Sequence, residues 1–280
     1  MNINLNGIEF VPVTASRPIL GSTKGGWMYA NQRPAYEARL PAFFVMAHPL
    51  TTAEVANAMG LNATEDSGDG PMETLTSEDI DELATAIMGG NVFKQTVDAL
   101  EGAWEVRPPT QAEWMAAVHQ NILNLEPGMT ERLADAPASN QRGAMMDGRP
   151  RPSEILGPAA SHMAAIAVHP KNMDITAMTS VPHDRPLPKV VARLVLTPVR
   201  EGEPKRVPEQ TDRWANLRSE VVWTTLLGIV PSFLIPILRG MGDYATDGWV
   251  NLLFGGLCAG FFTGALWRPR RPVLRYEDVS

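Results

Sequence analysis

The sequence is most constrained by two uncharged apolar runs near its C-terminus. Val221 to Leu238 reads VVWTTLLGIVPSFLIPIL and is closed by Arg239; Trp249 to Trp267 reads WVNLLFGGLCAGFFTGALW and is closed by Arg268. A hydrocarbon layer ~30 Å thick needs about 20 helical residues, with about 17 as the lower limit, so each run is long enough to cross. Trp223, Trp249 and Trp267 stand near the run ends, where amphipathic rings favour the headgroup level. The pattern predicts transmembrane helices over 221–238 and 249–267, with Pro231 and Pro236 kinking the first. The competing reading is a buried helical hairpin inside a large soluble assembly.

Gly256, Gly260 and Gly264 repeat at four-residue spacing, and Gly228 and Ser232 share that spacing in the first run. Small residues on one helix face let backbones approach closely. The stripe suits packing within the hairpin and, equally, homo-oligomer formation.

Basic residues flank the pair of runs on the outside: Lys205, Arg206, Arg213 and Arg218 before it, and Arg268, Arg270, Arg271 and Arg275 after it. The connecting GMGDYATDG carries Asp243 and Asp247. The positive-inside rule then puts both termini in the cytoplasm of a multi-pass inner-membrane protein. The Arg-rich tail, 268–280, can reach anionic headgroups. Besides the bilayer, the expected partners are membrane or cytoplasmic proteins. A formal net charge of −7 argues against general nucleic-acid binding.

Ahead of the hairpin the chain is polar and rich in Pro and Gly, and a soluble domain is expected over 1–200 with a charged linker over 201–220. Cys258 is the single cysteine, so neither an internal disulfide nor a cysteine-based zinc site can form. Residues 1–10 show no basic segment leading into an apolar one, as an export signal would.

Ile8–Val13 and Glu37–Met46 read as strands. Thr51 with Glu54 has capping-box spacing ahead of a helix that Gly60 stops. Ser77–Met88 is an acidic helix ended by Gly89-Gly90, and Val92–Leu100 is another. In Pro109-Thr110-Gln111-Ala112-Glu113-Trp114, Thr110 and Glu113 form a second capping box, with a helix predicted to about Leu123. After Glu126 some sixty residues read as irregular, and Val190–Thr197 reads as a closing strand. Strands first, helices next and a final strand make an α+β domain.

These pieces, in this order, resemble the formylglycine-generating enzyme (sulfatase-modifying factor) family, which has a C-type-lectin-like fold. The matching stretches are Phe10-Val11-Pro12-Val13, Ile19-Leu20-Gly21-Ser22, and Glu37–Met46 running into Pro49–Val55. Arg107–Trp114 is similar to the family's R-L-P-T-E-A-E-W signature, with Thr110, Glu113 and Trp114 as its specific residues. Ala192-Arg193-Leu194-Val195 falls where the family ends on G-F-R-L-V. The resemblance covers about residues 8–200 and leaves the hairpin outside. The family's G-N-V-W-E-W and R-G-G-S elements have no counterpart between Gly128 and Lys189. The paired copper-holding cysteines of its oxidising members are missing, which excludes sulfatase activation by that chemistry. What the resemblance implies is the scaffold, which in relatives displays ligands or binds proteins.

Candidate chemistry in the residues themselves is sparse. The five histidines, His48, His119, His162, His169 and His183, include no pair at i, i+3 or i+4. His162, His169 and His183, with Asp174 and Asp184, are the candidates for a metal site; scattered surface histidines are the alternative. Glu65, Asp66 and Asp69 could offer oxygens to calcium, although a solvated acidic loop explains them as well. Glu113 is accounted for as a cap, and Trp104 and Trp114 as core. Met145, Met146, Met163, Met173 and Met178 suggest an adaptable contact surface or gap-filling in a core. No phosphate loop, dinucleotide fingerprint, zinc-protease helix or nucleophile elbow is present. The expectation is a membrane-tethered, non-catalytic binding or scaffolding protein without a cofactor, a subunit of a larger membrane assembly. The alternatives are a metal-dependent enzyme with a non-cysteine site, and a structural subunit of a virion or other large assembly.

Overall fold

In the computed structural model the chain is described over residues 2–61, 70–153, 161–171 and 175–279. The acidic residues Glu65, Asp66 and Asp69, and Met173 and Asp174, lie outside these ranges. The chain forms two compact units that do not follow its linear order. The first comprises 1–18, 37–138 and 145–205; the second comprises 19–36, 139–144 and 206–280.

The first unit is α+β, built on two small curled sheets. Its strands are β1 (Ile3–Leu5), β2 (Ile8–Val13), β5 (Phe43–Val45), β6 (Trp104–Arg107), β7 (Thr130–Arg132), β8 (His162–Val168), β9 (Ile175–Pro182), β10 (Val190–Val191) and β11 (Val195–Pro198). The short β3 (Ile19–Leu20) and β4 (Tyr36–Glu37) pair with each other. One sheet has the order β1-β2-β5-β11-β6, antiparallel throughout. The other has the order β10-β7-β8-β9, parallel only between β10 and β7.

Alternation decides the inner face of the first sheet: Leu5, Ile8, Phe10, Leu194 and Leu196 are buried together. Helices α1 (Thr52–Ala58), α2 (Ser77–Gly89) and α3 (Asn91–Leu100) supply Val55, Ile80, Leu83, Ile87 and Phe93 to that core. Thr51 and Thr76 close capping boxes with Glu54 and Asp79, so both helices start where the sequence offers an acceptor for free N–H groups. A second cluster joins Trp114, on helix α4 (Gln111–His119), to Leu133, Ala164, Ile166 and Val168.

Several expectations change. Helix α4 ends at His119, not near Leu123, because Asn121 takes a left-handed conformation (φ 55°) that a helix cannot continue through. The stretch after Glu126 is not irregular: it contains β7, β8 and β9. Its Ala, Thr and Met content hides the alternation that Val and Ile would have shown. The closing strand is broken between Val191 and Val195, where Ala192 and Leu194 carbonyls accept from Leu50 and Met46 amides. Trp104 packs against the first core as expected, but it is half-buried, its ring 5.9 Å from Phe44. Met145 and Met146 are buried, so of the five methionines only Met163, half-buried, and Met178, exposed, show surface among the described residues.

The second unit is dominated by a helical hairpin. Its first arm is one continuous helix, Arg213–Leu238, made of α5 (Arg213–Thr224), a π-helical turn (Thr225–Ile229) and α6 (Val230–Leu238). It begins eight residues before the uncharged run, inside the expected linker, because Asp212 caps it by accepting from the Ala215 amide. The wide turn sits directly ahead of Pro231, which cannot donate to the preceding turn. The second arm is α8 (Trp249–Leu266), reached through the short helix α7 (Gly242–Asp247). Both arms are long and apolar enough to cross a membrane.

Candidate functional site

In the first unit the signature residues converge on two buried ion networks. Thr110 caps α4 by accepting from the Glu113 amide, and the Glu113 carboxylate accepts from the Thr110 amide and hydroxyl. The same carboxylate, fully buried, takes two hydrogen bonds from Arg107 (2.8 and 3.0 Å) and one from the Thr197 hydroxyl (3.0 Å). Arg200 stands 3.5 Å away. Burial alone would raise the Glu113 carboxyl, but Arg107, the Thr110 amide and Arg200 together hold it below the usual carboxylate range. Burial likewise works against the Arg107 charge, and Glu113 and Glu105 more than restore it.

The second network starts from Trp114. Its indole N–H donates to Glu131 (2.8 Å), and Glu131 in turn receives a bidentate pair from Arg193. Arg193 also donates to the carbonyls of Met46, Ala47 and Asn124. One arginine thus satisfies carbonyls of two chain segments that lie outside the ladders, 46–47 and 124, as a buried backbone carbonyl requires. Thr110, Glu113 and Trp114 act here as tie-points for the fold. The side-chain polar atoms of all three face protein partners.

The three candidate histidines do not converge on one site. His162 opens β8 and His169 follows its last residue, so the two stand about 23 Å apart along an extended strand. His183 lies beside His162, because Pro182 pairs with His162 across the β8–β9 ladder. Among the described residues no three His, Cys, Asp or Glu side chains are grouped to hold a metal ion.

Four of the hairpin's small residues, Gly228, Ser232, Gly256 and Gly260, meet within the one chain, while Gly264 faces the Arg268 guanidinium. A Cβ on Gly256 would stand 2.7 Å from Ser232 Oγ and 2.8 Å from Ile229 Cα. One on Gly228 would stand 2.7 Å from the Gly260 nitrogen, and one on Gly260 would stand 2.7 Å from Thr224 Cγ2. Gly256, Gly260 and Gly264 are buried, whereas Gly255 next door has open space around it. The stripe is therefore occupied by close backbone contact between the arms. The outward faces are the reverse: Val221, Leu234, Ile235, Phe254, Phe262 and Leu266 are all exposed.

The open end of the hairpin is closed by charge. Arg268 is 5% exposed and donates to Glu220 (3.0 and 2.9 Å), the Thr224 hydroxyl and the carbonyls of Gly260 and Trp267. Gly264 leaves room for its guanidinium; a side chain there would collide with it. Trp223 and Trp267 pack edge-to-face at 5.7 Å on the same level. Residues 19–36 join this end. The Gly26 backbone lies so near the end of α8 that a Cβ would be 2.6 Å from the Leu266 carbonyl, and the Trp27 ring packs against Phe261 at 4.7 Å. The chain after Arg268 pairs with the same segment, Arg271 donating to Thr23 and Leu274 to Ala35.

Sequence reasoning missed Glu131, Glu220 and Trp27. Nothing in the local pattern marks an acidic residue as buried when its partner is 62 or 48 positions away. Trp27, a large aromatic in a Gly-rich stretch, was the one available sign.

No family model matches the chain, and no curated protein matches it either. Solved structures do resemble it. PvdO from Pseudomonas aeruginosa superposes with a TM-score of 0.51 at 11% identity, over 69% of this chain and 95% of that one. Treponema denticola variable protein 1 gives 0.42 at 12% identity (71% and 99% covered), and CarF gives 0.39 at 12% (69% and 99%). The similarity to PvdO is one of fold.

Proposed function

We propose that the protein is a membrane-tethered, non-catalytic binding or scaffolding subunit, with a formylglycine-generating-enzyme-like, C-type-lectin-like domain held at the cytoplasmic face by the hairpin. The observation that carries this reading is the inversion of the hairpin. Its inner faces are glycine, serine and threonine, and its outer faces are large apolar side chains left exposed. A soluble protein rarely exposes so continuous an apolar surface, whereas lipid matches it and leaves close backbone packing as the force between helices. The basic flanks and the acidic connecting turn favour cytoplasmic termini.

The lectin-like reading of the first unit is supported by the signature residues, which tie distant segments together as a scaffold motif would. A binding rather than catalytic role is supported by the two ion networks, whose polar groups are spent on the fold. Carbonate extraction of membranes followed by affinity purification in mild detergent tests the reading. The full chain should resist extraction and carry a partner at fixed stoichiometry. A chain that washes off the membrane, or a monodisperse lone chain with turnover on any substrate, overturns it.

A further inference from the structure

Residues 19–36 are far from the hairpin in sequence but belong to its compact unit, and their chemistry is that of a membrane interface. The 3-10 helix Trp27–Gln32 buries none of its residues. Met28 is 64% exposed, and Trp27 lies over Phe261, five residues or roughly 8 Å inside the end of α8. Trp27 therefore stands at the depth of the last turns of a candidate span, at the end of the hairpin that also carries the Trp223–Trp267 pair. The Arg268 guanidinium lies 5.8 Å from the Trp27 ring. Three indoles at one end of a hairpin make the arrangement that headgroup-level belts use. Only two of them come from the hairpin.

The polar side of this segment is cationic. Lys24 is exposed, its ammonium 4.5 Å from the Tyr29 ring, so an apolar body and a charged tip sit together as snorkelling requires. Arg33 donates to the Gly25 carbonyl and Arg271 to the Asn216 side chain, so neither spends its charge on a carboxylate in these bonds. Burial, then the nearness of Arg271, lowers the Arg33 pKa, and Arg142 adds to it; Glu220 is the acid that opposes them. Glu220 is itself held by Arg268.

We infer that residues 24–33 form an interfacial membrane element: Trp27 and Met28 enter the headgroup–acyl boundary, and Lys24, Arg33 and Arg271 face anionic headgroups. The inference rests on the tether reading above and adds a third lipid contact, from the N-terminal part of the chain.

Environment-sensitive labels on the full chain, reconstituted in nanodiscs of phosphatidylcholine with phosphatidylglycerol, test it. In a Cys258→Ser background, single cysteines replace Met28, Phe254 on the outer face of α8, or Gln95, an exposed residue of α3, and each carries NBD. Labels at Met28 and Phe254 should both emit to the blue and resist acrylamide on the order of 3-fold better than the Gln95 label. Adding Trp27→Ala should return the Met28 label to the Gln95 value and leave the Phe254 label unchanged. Discs of phosphatidylcholine alone should protect Met28 less. A Met28 label quenched like Gln95 beside a protected Phe254 label overturns the inference and leaves the tether standing. A Phe254 label quenched like Gln95 overturns both. Equal protection of Met28 in the two lipids overturns the headgroup assignment.

Discussion

Arg193 in the first unit and Arg268 in the second are both buried cations bound to a carboxylate, yet their surroundings differ in kind. Arg193 is enclosed by carbonyls from 46, 47 and 124 and shares Glu131 with Trp114, so it joins four stretches of chain that side-chain packing alone would not hold in register. Arg268 bonds residues of two adjacent helices and seals their open end. The first unit uses charge to organise an α+β core of short strands and helices joined by long connections. The second uses it to terminate a structure whose cohesion comes from glycine backbones. The same residue type is a hub in one setting and a clasp in the other.

The sharpest way to break this comparison is at the hub. Glu131→Ala leaves Arg193 buried without a counter-charge and the Trp114 N–H without an acceptor. Removing one partner of a buried pair costs about 3–5 kcal/mol, enough to consume much of a domain's stability. Thermal melts of the full chain in detergent should show the first unit unfolding early, with loss of the near-ultraviolet signal of its tryptophans. An unchanged melt would mean that the network is decoration on a core that stands without it.

The hairpin should fail differently. Gly256→Leu forces a branched side chain into Ser232 and Ile229, and overpacking of this kind costs about 2–3 kcal/mol. Gly255→Leu, one position along the same helix, meets open space and gains helix propensity. Helical melts in detergent should therefore separate the two substitutions although they are neighbours. Equal damage from both would show that the arms do not pack through the glycine stripe.

The difference between the units also explains what the sequence made legible. The hairpin was readable because its constraints are local: run length, charge exclusion, and glycine at four-residue spacing from 256 to 264 all lie within one helix. The caps at Thr51 and Thr110 were readable for the same reason, since donor and acceptor are three residues apart. The β8–β9 hairpin was not, because His162–Val168 reads HMAAIAV, with alanine where a strand usually shows branched residues. The partner of Arg193 could not be read either. A buried carboxylate such as Glu131 looks like any surface glutamate until the fold closes around it. Of the candidate site, the stripe and signature residues were visible, and the contribution of residues 24–33 was not, because only the folded chain brings Trp27 to Phe261.

Acid should separate the carboxylates of the first unit by sign. Glu113 sits below the ordinary carboxylate range, so its stabilising contribution is present above that range and is lost as pH falls through its lowered folded value. Asp135 is opposite: burial raises it, against the Arg151 and Gln111 amides that hydrogen-bond it. Its contribution is most favourable when protonated and is lost as pH rises through its raised folded value. Mild acidification should therefore raise the melting temperature of the first unit slightly before stronger acid lowers it. Glu113→Gln keeps an acceptor for Thr197 or Arg107 but removes the charge, leaving Arg107 with Glu105 as its carboxylate, at about 2 kcal/mol near neutrality. In that variant the gain in mild acid should persist while the strongly acid loss becomes shallower. A parallel pair of melting curves across the whole range would place the acid sensitivity outside the Arg107–Glu113 network, in Asp79, whose bond from the Thr76 hydroxyl likewise lowers it.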